Sequence, residues 1–197
     1  DGSPKNIWSV PGLTEFHGKK INLTEALTRK SITILDSVLK LDKPFFLYMS
    51  HYTVHTPLMA DDRFFQKYLD VGIDTIEAQY ASMIEGMDNS LGNLLDYLEK
   101  HNLEDKTAIL FMSDNGGLSA VARGGDPHTH NKPLSSGKGS AREGGIREPM
   151  IVKWPGVVAP GSTSQDYLII EDFYPTILSM AGITNYETVQ HIDGQNF

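Results

Sequence analysis

The stretch that decides the fold is Ala108-Ile109-Leu110-Phe111-Met112-Ser113-Asp114-Asn115-Gly116-Gly117. Its first five residues are apolar, and polar residues with two glycines follow at once, a pattern typical of a strand buried on both faces. Two further short apolar-rich runs occur along the chain, at 45–49 and 150–154. These runs predict a sheet of short, buried strands.

Segments with the apolar spacing of amphipathic helices alternate with these runs. The first predicted helix begins at Thr24, and the second is capped by Asp74, with Glu77 completing a capping box. A last helix is predicted from Asp172 through Ala181. Because such helices pack on both faces of a sheet, we expect an α/β fold, a three-layer α/β/α sandwich with a mostly parallel mixed sheet.

Composition excludes several classes of protein. The chain has 197 residues, 40% of them apolar and 21% charged, which is typical of one globular domain with a sizeable core. Its formal net charge is −8 and its 17 basic residues form no run, which argues against a nucleic-acid surface. The absence of cysteine excludes disulfides, thiolate metal sites and a cysteine nucleophile within these residues. No apolar run approaches the roughly 18–20 residues that a membrane span needs.

The segment 118–148 is predicted to be one glycine-rich loop. Its length of about 30 residues is far above the usual connection of about 4–6, and such loops are usually functional or disordered. The loop begins at the C-terminal end of a predicted strand, where ligands bind in open α/β sheets. The sequence therefore predicts a functional site at this end of the sheet.

Asp114 and Asn115 are the candidate metal ligands. A carboxylate and an amide oxygen side by side suit a hard cation such as Ca²⁺ or Mg²⁺, and the two glycines that follow allow the backbone to turn sharply. Asp-Asn-Gly is also common turn chemistry, so the dipeptide alone favours an ordinary Asx turn.

Lys138 is the candidate anion contact. It lies between two glycines, which let a long-stemmed positive charge approach an anion closely. Its surroundings do not match a P-loop, which argues against a nucleotide site, and a solvated loop lysine is the alternative. Further along, we expect Glu143 and Arg147 to hold the loop to the sheet.

Four histidines, at positions 51, 55, 128 and 130, have side chains that suit acid–base chemistry or substrate binding. His55, near the end of the first predicted strand, suits a general acid or an anion contact near neutral pH, whereas His51 is interpreted as a packed or surface histidine. His128 and His130 lack the third and fourth ligands of a zinc site. His128 is interpreted as loop, and His130 as a candidate substrate contact.

These pieces, in this order, resemble the formylglycine-dependent (type I) sulfatases of the alkaline-phosphatase-like superfamily. The matching segments are 44–48, 55–57, Met87-Asp88, 113–116, 130–134 with 137–139, 143–149 and 193–197. The resemblance runs from roughly residue 23 to the C-terminus. It implies an alkaline-phosphatase-like fold, with an irregular loop segment over residues 1–22 and a partial catalytic domain over residues 23–197.

The resemblance also implies roles for individual residues. Asp114 and Asn115 match calcium ligands, Lys138 the lysine that grips the sulfate, and His55 the histidine that contacts the sulfate and the leaving-group oxygen. The implied cofactor is Ca²⁺, with Mg²⁺ as the alternative, and the implied substrate is a sulfated sugar or glycan. Family analogy implies a periplasmic or extracellular setting.

The chain departs from the family pattern at its nucleophile. The family makes formylglycine from the first residue of a Cys/Ser-x-Pro-x-Arg motif, and the nearest segment here, Ser9-Val10-Pro11-Gly12-Leu13, has leucine in place of arginine. The family's first pair of calcium ligands is also absent, because Asp61-Asp62 follows a loop and is expected to cap a helix. Only a missing N-terminal segment would then carry the formylglycine.

We therefore expect a fragment that lacks its N-terminal strands and its C-terminal subdomain. On its own it should bind Ca²⁺ weakly, hydrolyse no sulfate ester, and expose a sheet edge through which it associates. Two alternatives stay open at this point. One is a related phosphodiesterase or phosphonate hydrolase, which would need more metal-binding His and Asp residues. The other is a non-catalytic binding module. A Cys/Ser-x-Pro-x-Arg segment upstream of Asp1 would favour the sulfatase.

Overall fold

The computed structural model describes residues 10–118 and 131–197. The chain divides into two compact units, one formed by residues 1–104 with 113–149 and the other by residues 105–112 with 150–197. Every residue predicted for the functional site belongs to the first unit, apart from those that lie outside the described ranges.

Four helices form the framework of the first unit within the described residues: α1 (Leu23–Leu39), α2 (Phe65–Asp70), α3 (Thr75–Lys100) and α4 (Glu143–Ile146). The Asn22 side chain caps α1 by accepting a hydrogen bond from the Thr24 N–H at 2.9 Å. The Asp74 carboxylate caps α3 by accepting hydrogen bonds from the backbone N–H groups of Ile76 and Glu77. The predicted start of α3 at the Asp74 cap is confirmed, and α1 begins one residue before the predicted Thr24. Within the described residues of the predicted loop 118–148 there is one short helix, α4.

The packing of α1 against α3 forms the core of this unit. Buried residues recur along α3 at every fourth position, and most of them are small: Ala78, Ser82, Gly86, Ser90 and Leu94. Because every fourth residue lies on one face of a helix, small residues there let the neighbouring chain approach closely. At one end of the interface Leu35, Leu94 and Tyr97 form a buried apolar cluster.

The prediction of a strand at 45–49 is wrong. Within the described residues this segment forms no strand. The segment keeps the alternation of an extended chain. Its inward residues pack on the apolar cluster: Phe45, Leu47 and Met49. Its outward residues, Phe46 and Tyr48, are 71% and 80% exposed. The apolar run predicts a strand buried on both faces. Within the described residues only one face is covered, by the apolar cluster.

The second unit contains the other two predicted strands. β1 (Ile109–Met112) pairs with β2 (Met150–Lys153) in an antiparallel register that sets Ile109 against Lys153 and Met112 against Met150. The run 108–112 was expected to be a buried strand, but no residue of β1 is fully buried among the described residues, and Met112 is exposed. The one strand pair within the described residues is antiparallel, a pairing that a mixed sheet includes.

The last predicted helix is confirmed as α5 (Phe173–Met180). It is preceded by a 3-10 turn over Ile170–Asp172, and Gly182, with φ of +75°, reverses the chain after it. The Asp172 carboxylate accepts hydrogen bonds from the N–H groups of Ile169 and Gln195. In the described part of the chain, no helix is both long and apolar enough to cross a membrane.

Candidate functional site

Residues 113–117 and 131–147 pack together into one compact group of turns, here called the glycine-rich cluster. Three backbone hydrogen bonds tie it together: Gly116 N–H to Gly145 O at 3.1 Å, Lys138 N–H to Gly117 O at 3.2 Å, and Gly144 N–H to Ser135 O at 2.9 Å. The segment with the predicted metal ligands and the segment with the predicted anion contact are therefore neighbours through their main chains.

Close backbone approach explains why this cluster is rich in glycine. A Cβ at Gly116 would overlap the carbonyl oxygen of Gly144, and a Cβ at Gly137 would overlap that of Gly117. Gly144 and Gly145 are equally crowded by carbonyl oxygens of residues 135–140. Glycine is needed here because only a residue without a Cβ lets two backbones touch.

Asn131 is the side chain that locks the cluster. Its Oδ1 accepts a hydrogen bond from Gly117 N–H at 3.1 Å, and its Nδ2 donates to Gly117 O at 2.9 Å and to Ser136 O at 3.1 Å. An asparagine side chain can replace a peptide group in this way because it carries the same donor and acceptor. This role of Asn131 was not predicted from the sequence, although the residue lies in segment 130–134, one of those that carry the family resemblance.

The side chains of Asp114, Asn115 and Glu148, whose oxygen atoms are of the type that hard cations bind, lie next to the predicted strand end. Asp114 is exposed and Asn115 is half-buried, and the Ser113 hydroxyl donates to Asn115 O at 2.9 Å. Glu148, which the sequence analysis also left without a role, has one buried carboxylate oxygen with no hydrogen-bond partner among the described residues. Burial, and secondarily the charge on Asp114, raises the pKa of Glu148.

This donor set fits part of a site for a hard cation. Two neighbouring carboxylates repel each other, and a buried carboxylate oxygen without a partner is costly, so a cation would relieve both. Ca²⁺ takes six to eight oxygen ligands, however, and this group offers fewer. The described residues contain no group of three or more His, Cys, Asp or Glu side chains placed to hold a metal.

Lys138 combines a fixed main chain with an exposed side chain. Its N–H is bonded to Gly117 O, while the Gly139 that follows adopts a φ of +84° with open space around its Cα. Within the described ranges no carboxylate forms an ion pair with its ammonium group. Within the described part of the chain, this positive charge is therefore unpaired.

His55 lies on a separate loop of the same unit. Its N–H donates to Tyr52 O at 3.0 Å, and its ring Nδ1 lies 2.7 Å from Thr56 O. A carbonyl oxygen cannot donate, so Nδ1 carries the proton and Nε2 is left to accept or give one at an exposed position. Among the described residues no hydrogen bond joins His55 to the glycine-rich cluster, so their convergence on one substrate stays a prediction.

The remaining sequence predictions have mixed outcomes. His128 and His130 lie outside the described residues. Glu143 and Arg147 pair with each other at 3.5 Å on the exposed side of α4, so their described contacts give no tie to the sheet. Asp61 is buried, and its carboxylate accepts the Arg63 N–H and pairs with the Arg63 guanidinium at 2.6 Å.

Comparison with known proteins places these features in context. A family model described as Sulfatase matches residues 3–183. A protein of Formosa agariphila named Sulfatase is 34% identical to this chain, with 97% of this chain and 34% of that protein covered. The N-acetylgalactosamine-6-sulfatase of Mus musculus is 32% identical, with 82% of this chain and 29% of that protein covered.

Solved structures give the same picture. The structure of Ps i-CgsB in complex with k-i-k-neocarrahexaose matches with a TM-score of 0.77 and 37% identity, over 88% of this chain and 37% of that chain. The PsFucS1 sulfatase from Pseudoalteromonas sp. matches with a TM-score of 0.69 at 24% identity, which supports the fold alone. This chain spans about a third of the length of the relatives and structures that it matches.

Proposed function

We propose, since this chain belongs to the sulfatase family, that it supplies part of the calcium and sulfate site of a sulfuric ester hydrolase acting on a sulfated carbohydrate. Membership in the type I sulfatase family, with its alkaline-phosphatase-like α/β fold, confirms the predicted fold class. The assignment of residues 1–22 to a loop and of residues 23–197 to a partial catalytic domain stays a prediction.

One observation supports this proposal above the others. The hydrogen bond from Lys138 N–H to Gly117 O brings the lysine segment beside the Asp114-Asn115 segment. A sulfate monoester is an anion, so it needs positive charge next to whatever activates it, and this chain of net charge −8 must provide that charge locally. An exposed lysine beside the proposed cation ligands would satisfy this need.

Each residue has a defined task in the proposed site. Asp114 and Asn115, with Glu148 close by, would hold the cation, and Ca²⁺ bound there would offset negative charge on the sulfuryl oxygens. Lys138 would bind a sulfate oxygen and stabilise the charge that develops on it. His55, with Nδ1 fixed by Thr56 O, would in its doubly protonated form donate the proton on Nε2 to the leaving-group oxygen as the bond to sulfur breaks. We also propose His130 as a substrate contact.

The nucleophile would come from outside these 197 residues, because no Cys/Ser-x-Pro-x-Arg motif occurs among them. In the family that residue is formylglycine. Two relatives support the proposed substrate class: one is named N-acetylgalactosamine-6-sulfatase, and one solved structure is in complex with a neocarrahexaose. We propose a sulfated sugar or glycan as the substrate and, by family analogy, a periplasmic or extracellular setting.

The test uses a longer protein that contains these residues together with a formylglycine motif. Sulfate release from sulfated oligosaccharides is measured for the parent and for Lys138→Ala and Lys132→Ala. Loss of one charge-stabilising contact at the reacting group costs about 10²–10³-fold in rate, so Lys138→Ala should fall by that factor. Lys132→Ala, an exposed lysine of the same cluster, is the matched control and should keep the parental rate.

Three outcomes would overturn the proposal. Equal rates for the two lysine variants would remove Lys138 from the site. Faster turnover of phosphodiesters or phosphonates than of sulfate esters would favour the related hydrolases. Turnover of a chromogenic aryl sulfate by the 197-residue chain alone would show that the nucleophile lies within it.

A further inference from the structure

The loop that carries His55 is fastened to the α1–α3 interface at two points. Thr53 Oγ1 lies 2.5 Å from Thr24 Oγ1 at the start of α1, and His51 Nε2 lies 2.9 Å from Ser90 Oγ on α3. Ser90 is 2% exposed and Thr24 is 3% exposed, so both anchors are buried. His51 and Thr53 both lie within four residues of His55.

The proton positions in this network follow from counting donors. Thr28 Oγ1 lies 2.7 Å from Thr24 O and 2.6 Å from Ser90 Oγ. A carbonyl oxygen only accepts, so the single Thr28 hydroxyl proton points to Thr24 O. The short contact between Thr28 and Ser90 then needs the Ser90 proton. His51 Nε2 must therefore be the donor in its contact with Ser90 Oγ.

This count assigns opposite tautomers to two histidines four residues apart. His51 carries its proton on Nε2, whereas His55 carries its proton on Nδ1, facing Thr56 O. Burial lowers the pKa of His51, so its neutral form is the one present near neutral pH. Neutral His51 thus donates a hydrogen bond through Nε2–H but does not transfer a proton. His55 is exposed, and the Nε2 of its neutral form carries no proton.

We propose that His51 is a positioning residue: its Nε2–H donates to Ser90 and so holds the 50–57 loop, and with it His55, against the α1–α3 interface. What His55 does once held rests on the proposed function, but the anchoring does not. From the sequence alone, His51 is interpreted as an ordinary packed or surface histidine. Its hydrogen bond to the buried Ser90 gives it a specific task.

The test is nuclear magnetic resonance of the full 197-residue chain, without metal or sulfate. Long-range proton–nitrogen spectra of the imidazoles at pH 7.5 should show a protonated Nε2 for His51 and a protonated Nδ1 for His55. Ser90→Ala should raise the hydrogen-exchange rate of the His55 amide, which donates to Tyr52 O, about five- to tenfold, the effect of losing one net hydrogen bond. Thr33→Ala, an exposed hydroxyl on α1 outside this network, is the control and should leave that rate unchanged.

A conservative replacement separates positioning from simple packing. His51→Gln keeps an amide donor near the position of Nε2 and should restore near-parental exchange of the loop. His51→Leu keeps the bulk, lacks the donor and should match Ser90→Ala. A protonated Nδ1 on His51 in the unmodified chain would overturn the proposal without any variant, as would equal loop exchange in His51→Gln and His51→Leu. None of these readouts depends on sulfatase activity, so failure here and failure of the proposed function are distinguishable.

Discussion

Gly116 and Gly144 lie in direct backbone contact, so close that the position of a Cβ on Gly116 is already occupied by the carbonyl oxygen of Gly144. The neighbouring hydrogen bond from Gly116 N–H to Gly145 O, at 3.1 Å, holds the two segments at this separation. The contact joins the residues after β1 to helix α4, which are almost 30 positions apart in the chain. The geometry of the candidate site therefore depends on two residues that carry no side chain.

Gly116→Ala should disrupt the glycine-rich cluster. The added methyl group meets backbone atoms, which cannot rotate away, so we expect a loss of about 3 kcal/mol in the free energy of unfolding and weaker Ca²⁺ binding. Urea denaturation and calcium titration measure the two effects. Gly139→Asn is the control: Gly139 has open space and a left-handed φ that asparagine tolerates, so it should unfold like the parent. Equal stability of the two variants would contradict the assigned contact.

The parts of the fold that sequence predicted well depend on local patterns. Helices α1, α3 and α5 follow from apolar spacing and from polar residues at their starts, all of which operate within one or two turns. The strand prediction for the segment 45–49 failed because a strand also needs hydrogen bonds from a neighbouring strand. The apolar run shows that these residues suit a buried strand, but it does not show which strand would pair with them. No such partner strand lies among the described residues.

The candidate site divides in the same way. Asp114, Asn115 and Lys138 were recognisable because the chemistry of their side chains is visible in the sequence. The tasks of Asn131, Glu148 and His51 were not, because each depends on a contact with residues at least 14 positions away. Close approach of glycines is equally invisible, since glycine in a loop also accompanies turns.

Two glycines of α3 should respond to the same substitution in opposite directions. A Cβ on Gly86 would lie 2.5 Å from Asp61 Oδ2, whereas a Cβ on Gly92 would meet nothing within 4 Å. Gly86→Ala should therefore cost about 1–3 kcal/mol, and Gly92→Ala should add about 0.5–1 kcal/mol, because alanine is the better helix former. Thermal unfolding of both variants measures this. A stabilised Gly86→Ala would show that Asp61 does not occupy the described position.

Adjacent aspartates 61 and 62 offer another matched pair. The Asp61 side chain is 2% exposed and pairs with Arg63 at 2.6 Å. Asp62 instead forms an ion pair with Lys20 on the exposed surface. Asp61→Asn should cost about 2 kcal/mol in unfolding free energy, below the 3–5 kcal/mol of a fully buried pair because Arg63 is 32% exposed. Asp62→Asn should change nothing measurable. Chemical denaturation of both variants at pH 7 measures the two changes in unfolding free energy. Similar losses of stability in the two variants would contradict the burial of Asp61.

The exposed side of the segment 45–49 should make the chain self-associate. Residues 44–50 form no backbone hydrogen bond within the described ranges, and the outward Phe46 and Tyr48 add exposed apolar surface. Phe46→Lys should shift the chain toward monomer in sedimentation experiments, since charge on an edge opposes pairing. Val71→Lys, at an exposed apolar residue elsewhere in the unit, is the control. A monomeric parent chain would contradict this prediction.

Stability should fall as the pH drops through the range in which unfolded histidine gains a proton. Burial lowers the pKa of His51 below its ordinary value of about 6.5, so the unfolded state binds more protons than the folded state in the interval between the two values. Stability is then constant above about pH 6.5 and decreases from there down to the folded pKa, by about 1.4 kcal/mol for each pKa unit of depression. Urea denaturation of the parent and of His51→Gln at pH 7.5 and pH 5 isolates this contribution, because glutamine does not titrate and the other histidines are common to both chains. The parent should lose more stability than His51→Gln between these pH values, and parallel losses would show that His51 is not buried in its neutral form.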